Sequence, residues 1–160
     1  MISVVLADLA KPDHQAAIID LLDMYCQDPF GASCPLPEQT RSDLIPGLVN
    51  HGGARIFLAY DDKKYVGLAI CLIGFSTFQA KPLLNIHDIA VNPEARGQGI
   101  GRQLFTAIED DARNMGCCRL TLEVRSDNRQ AQALYKAVGF EAGQPGKWFW
   151  TRELAEKKPA

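Results

Sequence analysis

The sequence predicts a single α/β domain of the α+β kind, in which helices flank a mixed β-sheet. Two features predict this fold class. In the N-terminal half, strands follow one another through short polar turns, whereas strand and helix alternate in the C-terminal half. The chain has 160 residues, of which 47% are apolar and 22% charged, as expected for one domain over residues 1–160 with a substantial core.

Six strands and four helices are predicted. The helices are assigned from apolar residues spaced three or four positions apart, and the strands from apolar runs between polar turns. The predicted strands cover residues 3–6, 55–60, 65–73, 84–91, 119–124 and 147–154, followed by a tail from about residue 155 that should fray. The predicted helices cover 14–26 (capped by Asp13), 41–49 (interrupted or bent near Pro46), 99–115, and 127 or 128 to 138 (ended by Gly139).

Composition excludes several classes of protein. The net charge of −2 gives no support to nucleic-acid binding, and no apolar run approaches the roughly 20 residues of a membrane span. The first residues lack the basic segment of a secretory signal peptide. The five cysteines are odd in number and have no metal-ligand spacing, which favours reduced thiols in the cytoplasm and no metal site.

The most informative segment is residues 86–101, where an apolar strand leads through three alternate glycines into a helix. Glycines and the unpaired N–H groups of a helix N-terminus form a binding site for phosphate. No Lys-Ser or Lys-Thr follows the last glycine, which argues against a phosphate-loop NTPase, and the glycine spacing is not that of a dinucleotide fold. The segment therefore predicts a carrier whose phosphates are held and not cleaved, such as coenzyme A.

Two motifs in this half of the chain match a known family. Arg96-Gly-Gln-Gly-Ile-Gly101 is the first, and the segment from Leu122 to Phe140, with Asn128 and Leu134-Tyr135, is the second. Together they resemble the GNAT superfamily, the acetyl-CoA-dependent N-acetyltransferases, and in detail its diamine-type and ribosomal-protein N-terminal members. The resemblance implies a twisted mixed sheet of about six to seven strands with about four helices, splayed between strands 84–91 and 119–124.

The resemblance also implies which residues hold acetyl-CoA as co-substrate. The pantetheine arm would lie in the splay and the pyrophosphate on the glycine-rich loop. The implied cofactor-binding residues are Ile89, Ala90, Val91, Arg96, Gly97, Gln98, Gly99, Ile100, Gly101, Arg102, Asn128, Ala131 and Tyr135. The N–H of Ile89 would stabilise the oxyanion, as acyl transfer requires.

The resemblance assigns Tyr135 as the general acid; taken alone, it would be an ordinary half-buried aromatic residue. Glu123 and His87 are both candidates for the base. Glu123 is predicted inside the apolar strand 119–124, where a carboxylate is costly unless it is paired or functional. His87 shares the parity of Ile89, and imidazole exchanges protons near neutral pH. An edge ion pair and a structural imidazole are the simpler interpretations of these two residues.

Asp88, Phe75 and Asp23 are candidate acceptor-binding residues. Asp88 and Phe75 resemble residues of the diamine enzymes, and Asp23 could form an acidic entrance with Asp20 and Asp28. The predicted function is acetyl transfer, in a ternary complex, to a primary amine of a polyamine-like or amino-acid-like molecule. The alternatives are a protein N-terminus or lysine as acceptor and, outside catalysis, an acyl-CoA-binding sensor. The resemblance leaves a homodimer open.

Overall fold

The structure, a computed structural model, describes residues 1–143 of the chain. It contains five strands and four α-helices, with one short 3-10 turn, Pro93–Ala95, before the third helix. The strands are β1 (Ser3–Leu6), β2 (Ala54–Tyr60), β3 (Tyr65–Ser76), β4 (Lys81–Val91) and β5 (Leu120–Leu122). The helices are α1 (Pro12–Gln27), α2 (Glu38–His51), α3 (Ile100–Asn114) and α4 (Arg129–Ala137).

The strands form one mixed sheet in the order β1-β2-β3-β4-β5. The first four strands are antiparallel to their neighbours, and β5 is parallel to β4. This confirms the predicted fold class. The described part of the sheet has fewer strands than the six to seven expected, because the predicted strand 147–154 lies outside the described residues.

Each face of the sheet is covered by helices. One buried cluster joins Leu58, Leu68 and Ile70 of the sheet to Ile18 and Leu21 of α1. On the other face, the stripe of α3 predicted from its spacing packs on the sheet. The buried residues of that stripe are Ile100, Leu104, Ile108 and Ala112. The two layers leave the carboxyl ends of β4 and β5 at one edge of the molecule, where the predicted site lies.

Two details of the first helices differ from the predictions. Asp13 does not cap α1: the helix begins at Pro12, Lys11 is the N-cap, and Asp13 lies in the first turn. Proline favours the first helical position because its missing N–H would have no partner there. Pro46 does not interrupt α2, which continues to His51. Proline has a helical φ, so the helix continues at the cost of one hydrogen bond.

A β-bulge at His87 shapes the strand that leads to the glycine-rich loop. Asp88 pairs with Ile70 and Ile86 with Cys71, so His87 has no partner in the register. An extra residue reverses the alternation of faces. For this reason Ile86 and Ile89 both pack into the cluster under α3, although they are three positions apart. The uninterrupted parity predicted for residues 87, 89 and 91 is therefore wrong.

The same region separates β4 from β5. The parallel pairing runs from Leu84 opposite Leu120 to Ile86 opposite Leu122 and stops there, while β4 continues to Val91. The sheet is thus open on one edge of β4 beyond the bulge. This is the position at which the sequence predicted a splay.

Candidate active site

A cavity of about 440 Å³ lies at the open edge of β4. Its walls come from β4, the glycine-rich loop, the start of α3, α4 and the end of α1. Every predicted cofactor-binding residue except Gln98 lines it. The structure therefore brings the two sequence motifs together around one space. A second cavity, of about 340 Å³, lies near the end of α3 and contains none of the predicted site residues.

The glycine-rich loop presents its main chain to this cavity. Gly97 and Gly99 have φ of 80° and 78°, in the left-handed region that glycine adopts without strain. A Cβ built on either residue would have no atom within 4 Å, so the space around both is open. Among residues 1–143, no acceptor receives the N–H groups from Gly97 to Arg102. Unpaired amides at a helix N-terminus form a site for an anion such as pyrophosphate.

The exposed edge of β4 offers a second set of backbone groups. The N–H of Asn92 donates to Val66 O on β3 at 2.8 Å. Because N–H directions alternate along a strand, the amides of Val91 and Ile89 point the other way, into the opening left by β5. The bulge is what gives Ile89 this direction. The edge can therefore pair with an extended ligand arm or stabilise an oxyanion.

Arg96 joins three segments at the rim of the cavity. Its Nε donates to Val91 O at 3.1 Å, and its Nη2 donates to Asp28 Oδ2 at 2.9 Å. The N–H of Phe30 and the Arg96 side chain lower the pKa of Asp28. Arg96 thereby links the end of β4 and the glycine-rich loop to the segment that follows α1. Its guanidinium is committed to this structural role, with 42% of the side chain exposed.

Tyr135 of α4 lines the cavity, with its ring packed on two aromatic residues. The rings of Phe105 and Phe140 lie edge-on to it or tilted, with centroids 5.6 Å and 6.1 Å away. Burial, with a contribution from Tyr25, raises the pKa of Tyr135 to about 12. A phenol with such a pKa keeps its proton at neutral pH. Tyr135 is thus fixed in orientation and available as a proton donor.

Tyr25 lines the cavity, whereas Asp88 lies outside its lining, beside the bulge on β4. Burial raises the pKa of Tyr25, and the charges of Asp88 and Asp28 raise it further. Burial also raises the pKa of Asp88, an effect opposed by the neighbouring His87. In residues 1–143 no hydrogen bond or ion pair involves the Asp88 carboxyl. Tyr25, Asp88 and Tyr135 therefore form one electrostatically coupled group drawn from α1, β4 and α4.

The two candidate bases lie outside the lining of the cavity. Glu123 does not lie inside a strand as predicted: β5 ends at Leu122, and Glu123 follows it, exposed. The strand is short because its pairing with β4 stops at Ile86. His87 is also exposed, on the bulge. Either side chain could reach the reacting atoms only through water or after a change in rotamer.

Asp23 and Phe75 are not brought to the cavity. The Asp23 carboxylate accepts the Leu36 N–H at 2.7 Å and lies 3.0 Å from Arg41 Nη1, so it braces the segment between α1 and α2. Phe75 is 62% exposed on the far part of β3. Asn128 does line the cavity, and its Oδ1 accepts the Ala131 N–H at 3.1 Å, which caps α4.

Five lining residues were not predicted as site residues: Tyr25, Phe30, Ala95, Gln130 and Leu134. The spacing of apolar residues in the first helix places Tyr25 on its inner face, which predicts a packing role for it. The sequence carries no local signal for a site role of Tyr25, because its place at the cavity depends on how α1 packs on the sheet. Leu134 explains Gly101: a Cβ at position 101 would lie 2.9 Å from Leu134 Cδ2, so glycine permits α3 and α4 to approach.

Two further searches of the described residues bear on function. No helix in residues 1–143 combines the length and apolarity that crossing a membrane requires. Over the same residues, His, Cys, Asp and Glu side chains do not come together in threes in a way that could hold a metal ion.

Comparison with known proteins identifies the family. The family model described as "Acetyltransferase (GNAT) family" matches residues 17–140, which include both motifs and every wall of the cavity. The chain is 30% identical over 132 residues to the uncharacterized N-acetyltransferase YhfO of Bacillus subtilis, covering 82% of this chain and 87% of that protein.

Two other relatives extend the comparison. A thialysine N-epsilon-acetyltransferase of Mus musculus is 29% identical over 134 residues, covering 84% of this chain and 71% of that one. The solved structure of AAC(6')-Iy in complex with the bisubstrate analogue CoA-S-monomethyl-acetylneamine superposes with a TM-score of 0.77, covering 95% of this chain and 99% of that one, at 18% identity. At that identity the likeness shows the fold alone.

Proposed function

Because the chain belongs to the GNAT family of acetyltransferases, we propose that it moves an acetyl group from acetyl-CoA to the primary amine of a small polyamine-like or amino-acid-like molecule. The observation that carries the proposal is the shared cavity. It combines a row of unpaired loop amides, an open strand edge and a half-buried tyrosine. A ternary complex in this cavity would supply much of the rate by positioning the two substrates.

The donor half of the cavity fits coenzyme A. The open amides from Gly97 to Arg102 would hold its pyrophosphate, and the free edge at Ile89 and Val91 would pair with the pantetheine arm. Acetyl-CoA supplies an activated acyl thioester there. The Ile89 N–H is our proposed donor to the oxyanion, since a fixed backbone amide needs no reorganisation during reaction.

Tyr135 is the proposed general acid. A departing thiolate benefits from a proton, and burial holds the pKa of Tyr135 at about 12, so the phenol is protonated throughout the working range. Its ring is held by Phe105 and Phe140, which fixes the direction of the hydroxyl. Tyr25 lies close enough to Tyr135 to affect its pKa, and its hydroxyl would orient that of Tyr135.

The amine must lose a proton before attack, because an alkylammonium has a pKa of about 10.4 and is almost entirely protonated at neutral pH. Glu123 and His87 remain our two candidates for the group that accepts this proton. Both are exposed and neither lines the cavity, so each would act through a water molecule. His87 has the advantage of lying beside Asp88, whose pKa it influences.

Substituting the two candidates separately will identify the base. We expect Glu123→Gln or His87→Gln, whichever removes the base, to lower kcat/KM by about 10²-fold and to remove the acidic limb of its pH profile. The other variant should keep the wild-type kcat/KM and the acidic limb of the pH profile. Gln130→Ala, a change in the lining that alters no titratable group, serves as the control for altered binding. If both profiles keep their shape, neither residue accepts the proton.

The acceptor end of the cavity supports a small cationic amine. The Asp88 carboxyl forms no ion pair within the described chain, although His87 is its neighbour, and its charge acts on Tyr25. The segment after α1 closes this end through the pair of Asp28 with Arg96. A relative named for acetylation of thialysine, an amine on an amino acid, is consistent with this class.

A thiol-release assay with acetyl-CoA tests the proposal across acceptors. We expect turnover with polyamines, lysine-like amino acids or both, and a rise in acceptor KM in Asp88→Asn without a comparable rise in KM for acetyl-CoA. Turnover only with peptides would instead support the second acceptor class. That class is favoured by a putative ribosomal protein bS18 alanine N-acetyltransferase of Bacillus subtilis, 41% identical over 66 residues, 41% of this chain and 44% of that protein.

A further inference from the structure

The segment after α1 folds back tightly against the helix it leaves. The N–H of Ala32 donates to Cys26 O at 2.8 Å, and the N–H of Gly31 donates to Asp28 O at 2.8 Å. A Cβ at Gly31 would lie 2.2 Å from Tyr25 O, so only glycine allows this approach. Ser33 then reverses the chain with a φ of 58°.

This reversal brings two cysteines together. Cys26 lies in the last turn of α1, half-buried, and Cys34 lies in the returning segment, exposed. Burial raises the pKa of Cys26, and the nearby Cys34 adds to this rise. The N–H of Leu36 bonds to Asp23 Oδ1 at 2.7 Å and holds the returning segment along α1 just beyond Cys34. Backbone contacts on both sides of Cys34 therefore hold the returning segment alongside the last turn of α1, which contains Cys26.

We propose that Cys26 and Cys34 are a redox-active pair that closes to an intramolecular disulfide when the protein meets a low-molecular-weight disulfide such as oxidised glutathione. The function assigned to the cavity above makes no use of either thiol. The proposal for the bond itself is independent of that function. Its effect on turnover, described below, rests on the proposed acetyl transfer.

The exchange proceeds in two steps. The exposed Cys34 loses its proton to water, and its thiolate attacks one sulfur of oxidised glutathione, which forms a mixed disulfide and expels one glutathione thiolate. Cys26 then loses its proton, attacks Cys34 Sγ and expels the second glutathione. Two protein thiols are oxidised and one glutathione disulfide is reduced to two thiols. Cys34 reacts first because it is exposed, and Cys26 resolves the intermediate because it is adjacent.

The bond would fix a segment that borders the active site. Between the two cysteines lie Asp28, which is paired with Arg96, and Phe30, which lines the cavity. The Arg125 guanidinium lies 6.0 Å from the centre of the Phe30 ring, which ties the segment to the loop after β5. Closure of the disulfide locks these contacts and restricts entry at the acceptor end. We therefore expect oxidation to raise the acceptor KM several-fold, reversibly.

Peptide mapping of the native full-length protein tests the bond. After treatment with oxidised glutathione and alkylation, trypsin should release residues 1–41 as one peptide, because Lys11 precedes proline, and this peptide contains only Cys26 and Cys34. We expect both cysteines of this peptide to be unalkylated, and we expect its mass to be lower than that of the reduced peptide by two hydrogen atoms. A second cleavage, on the amino side of Asp28, separates Cys26 from Cys34 along the chain. The fragments that carry the two cysteines should then remain joined by the disulfide. Glutathione retained on Cys34 with Cys26 alkylated, or a link between two chains, would overturn the proposal.

Matched variants separate the pair from the other thiols. Cys26→Ser should trap the mixed disulfide on Cys34, and Cys34→Ser should leave Cys26 reduced, each with an acceptor KM that the oxidant does not change. Cys118→Ser, outside the segment, should still form the bond and respond as the wild type does. Mapping does not depend on catalysis, so failure of the bond and failure of acetyl transfer give different results. An unchanged KM in the oxidised wild type would refute the restriction of acceptor entry.

Discussion

At the scale of single residues, Tyr135 shows how packing would prepare the proposed general acid for proton transfer. Its ring packs against Phe105 and Phe140 in a largely apolar environment, and the same burial raises the pKa of its hydroxyl to about 12. Burial disfavours the charged phenolate, and the nearby Tyr25 adds to this effect. A proton donor for a thiolate needs these properties, a fixed direction and a proton that is retained at working pH.

The first prediction concerns this hydroxyl. Tyr135→Phe keeps the ring and its packing but removes the proton, so we expect kcat to fall by about 10²-fold with little change in thermal stability. Tyr60→Phe, which removes a hydroxyl remote from the cavity, is the control and should leave kcat unchanged. Steady-state kinetics and thermal melts of both variants will check this.

The pH dependence of the same variant has a defined sign. Since the pKa of Tyr135 is about 12, its deprotonation cannot cause a loss of rate at moderately alkaline pH. Any alkaline limb in the wild type should therefore persist in Tyr135→Phe. An alkaline limb well below pH 12 that vanishes in the variant would mean that the phenol titrates there, and our assignment would be wrong.

At the scale of elements, the glycine-rich loop depends on backbone conformation more than on any side chain. Gly97 and Gly99 have left-handed φ values with open space around them, and they turn the main chain so that its amides face the cavity. Gly101 serves a different purpose, because it lets α3 approach Leu134 of α4. The three alternate glycines in the sequence thus have two physical causes.

The second prediction separates conformation from steric space. Gly97→Ala adds a methyl group with no atom within 4 Å, so its cost of about 1 kcal/mol should come from the left-handed φ alone. Turning the amides away should also raise KM for acetyl-CoA several-fold. Gly47→Ala in α2 is a matched change in equally open space but in a helix, and it should stabilise the protein by about 0.5–1 kcal/mol. Denaturant unfolding and donor kinetics will measure both effects.

Much of the fold at this scale could be predicted from the sequence, because periodicity and turns are local signals. The stripe of α3, the hairpin between β2 and β3 and the Asn128 cap of α4 follow from residues close in the chain. The bulge at His87 could not be predicted, since a bulge is set by the register with β3 and leaves no local pattern. The position of Glu123 was missed for the same reason, because β5 ends where its partner strand departs.

At the scale of the whole molecule, the site is assembled from segments distant in sequence, which explains why Tyr25 was not predicted to belong to it. Tyr25, Asp88 and Tyr135 come from three elements that meet only in the folded protein. Arg96 joins two of these regions by its pair with Asp28. The motifs identify the donor half of the cavity because they are contiguous, whereas the acceptor half depends on how α1 crosses the sheet.

The third prediction follows from the burial of Asp88. Burial raises the pKa of this carboxyl, so its ionised form is disfavoured in the folded protein. For a carboxyl with a raised pKa, the cost to stability is absent below the unfolded pKa and fully present above the folded one. Asp88→Asn should therefore increase the free energy of unfolding at neutral pH, by about 1 kcal/mol. This gain should shrink as the pH falls through the raised pKa of Asp88 and should be gone below the ordinary pKa of aspartate.

Asp23→Asn is the matched control, because it should change the free energy of unfolding in the opposite direction to Asp88→Asn. The Asp23 carboxylate is paired with Arg41 and accepts the Leu36 N–H, so its neutralisation should lower stability at neutral pH. If Asp88 binds the acceptor amine as proposed, Asp88→Asn should raise the acceptor KM while it stabilises the protein. Unfolding curves of both variants across pH, together with their acceptor KM values, will test these two expectations. If Asp88→Asn destabilises the protein as Asp23→Asn does, Asp88 is structural and the cationic amine must be recognised elsewhere.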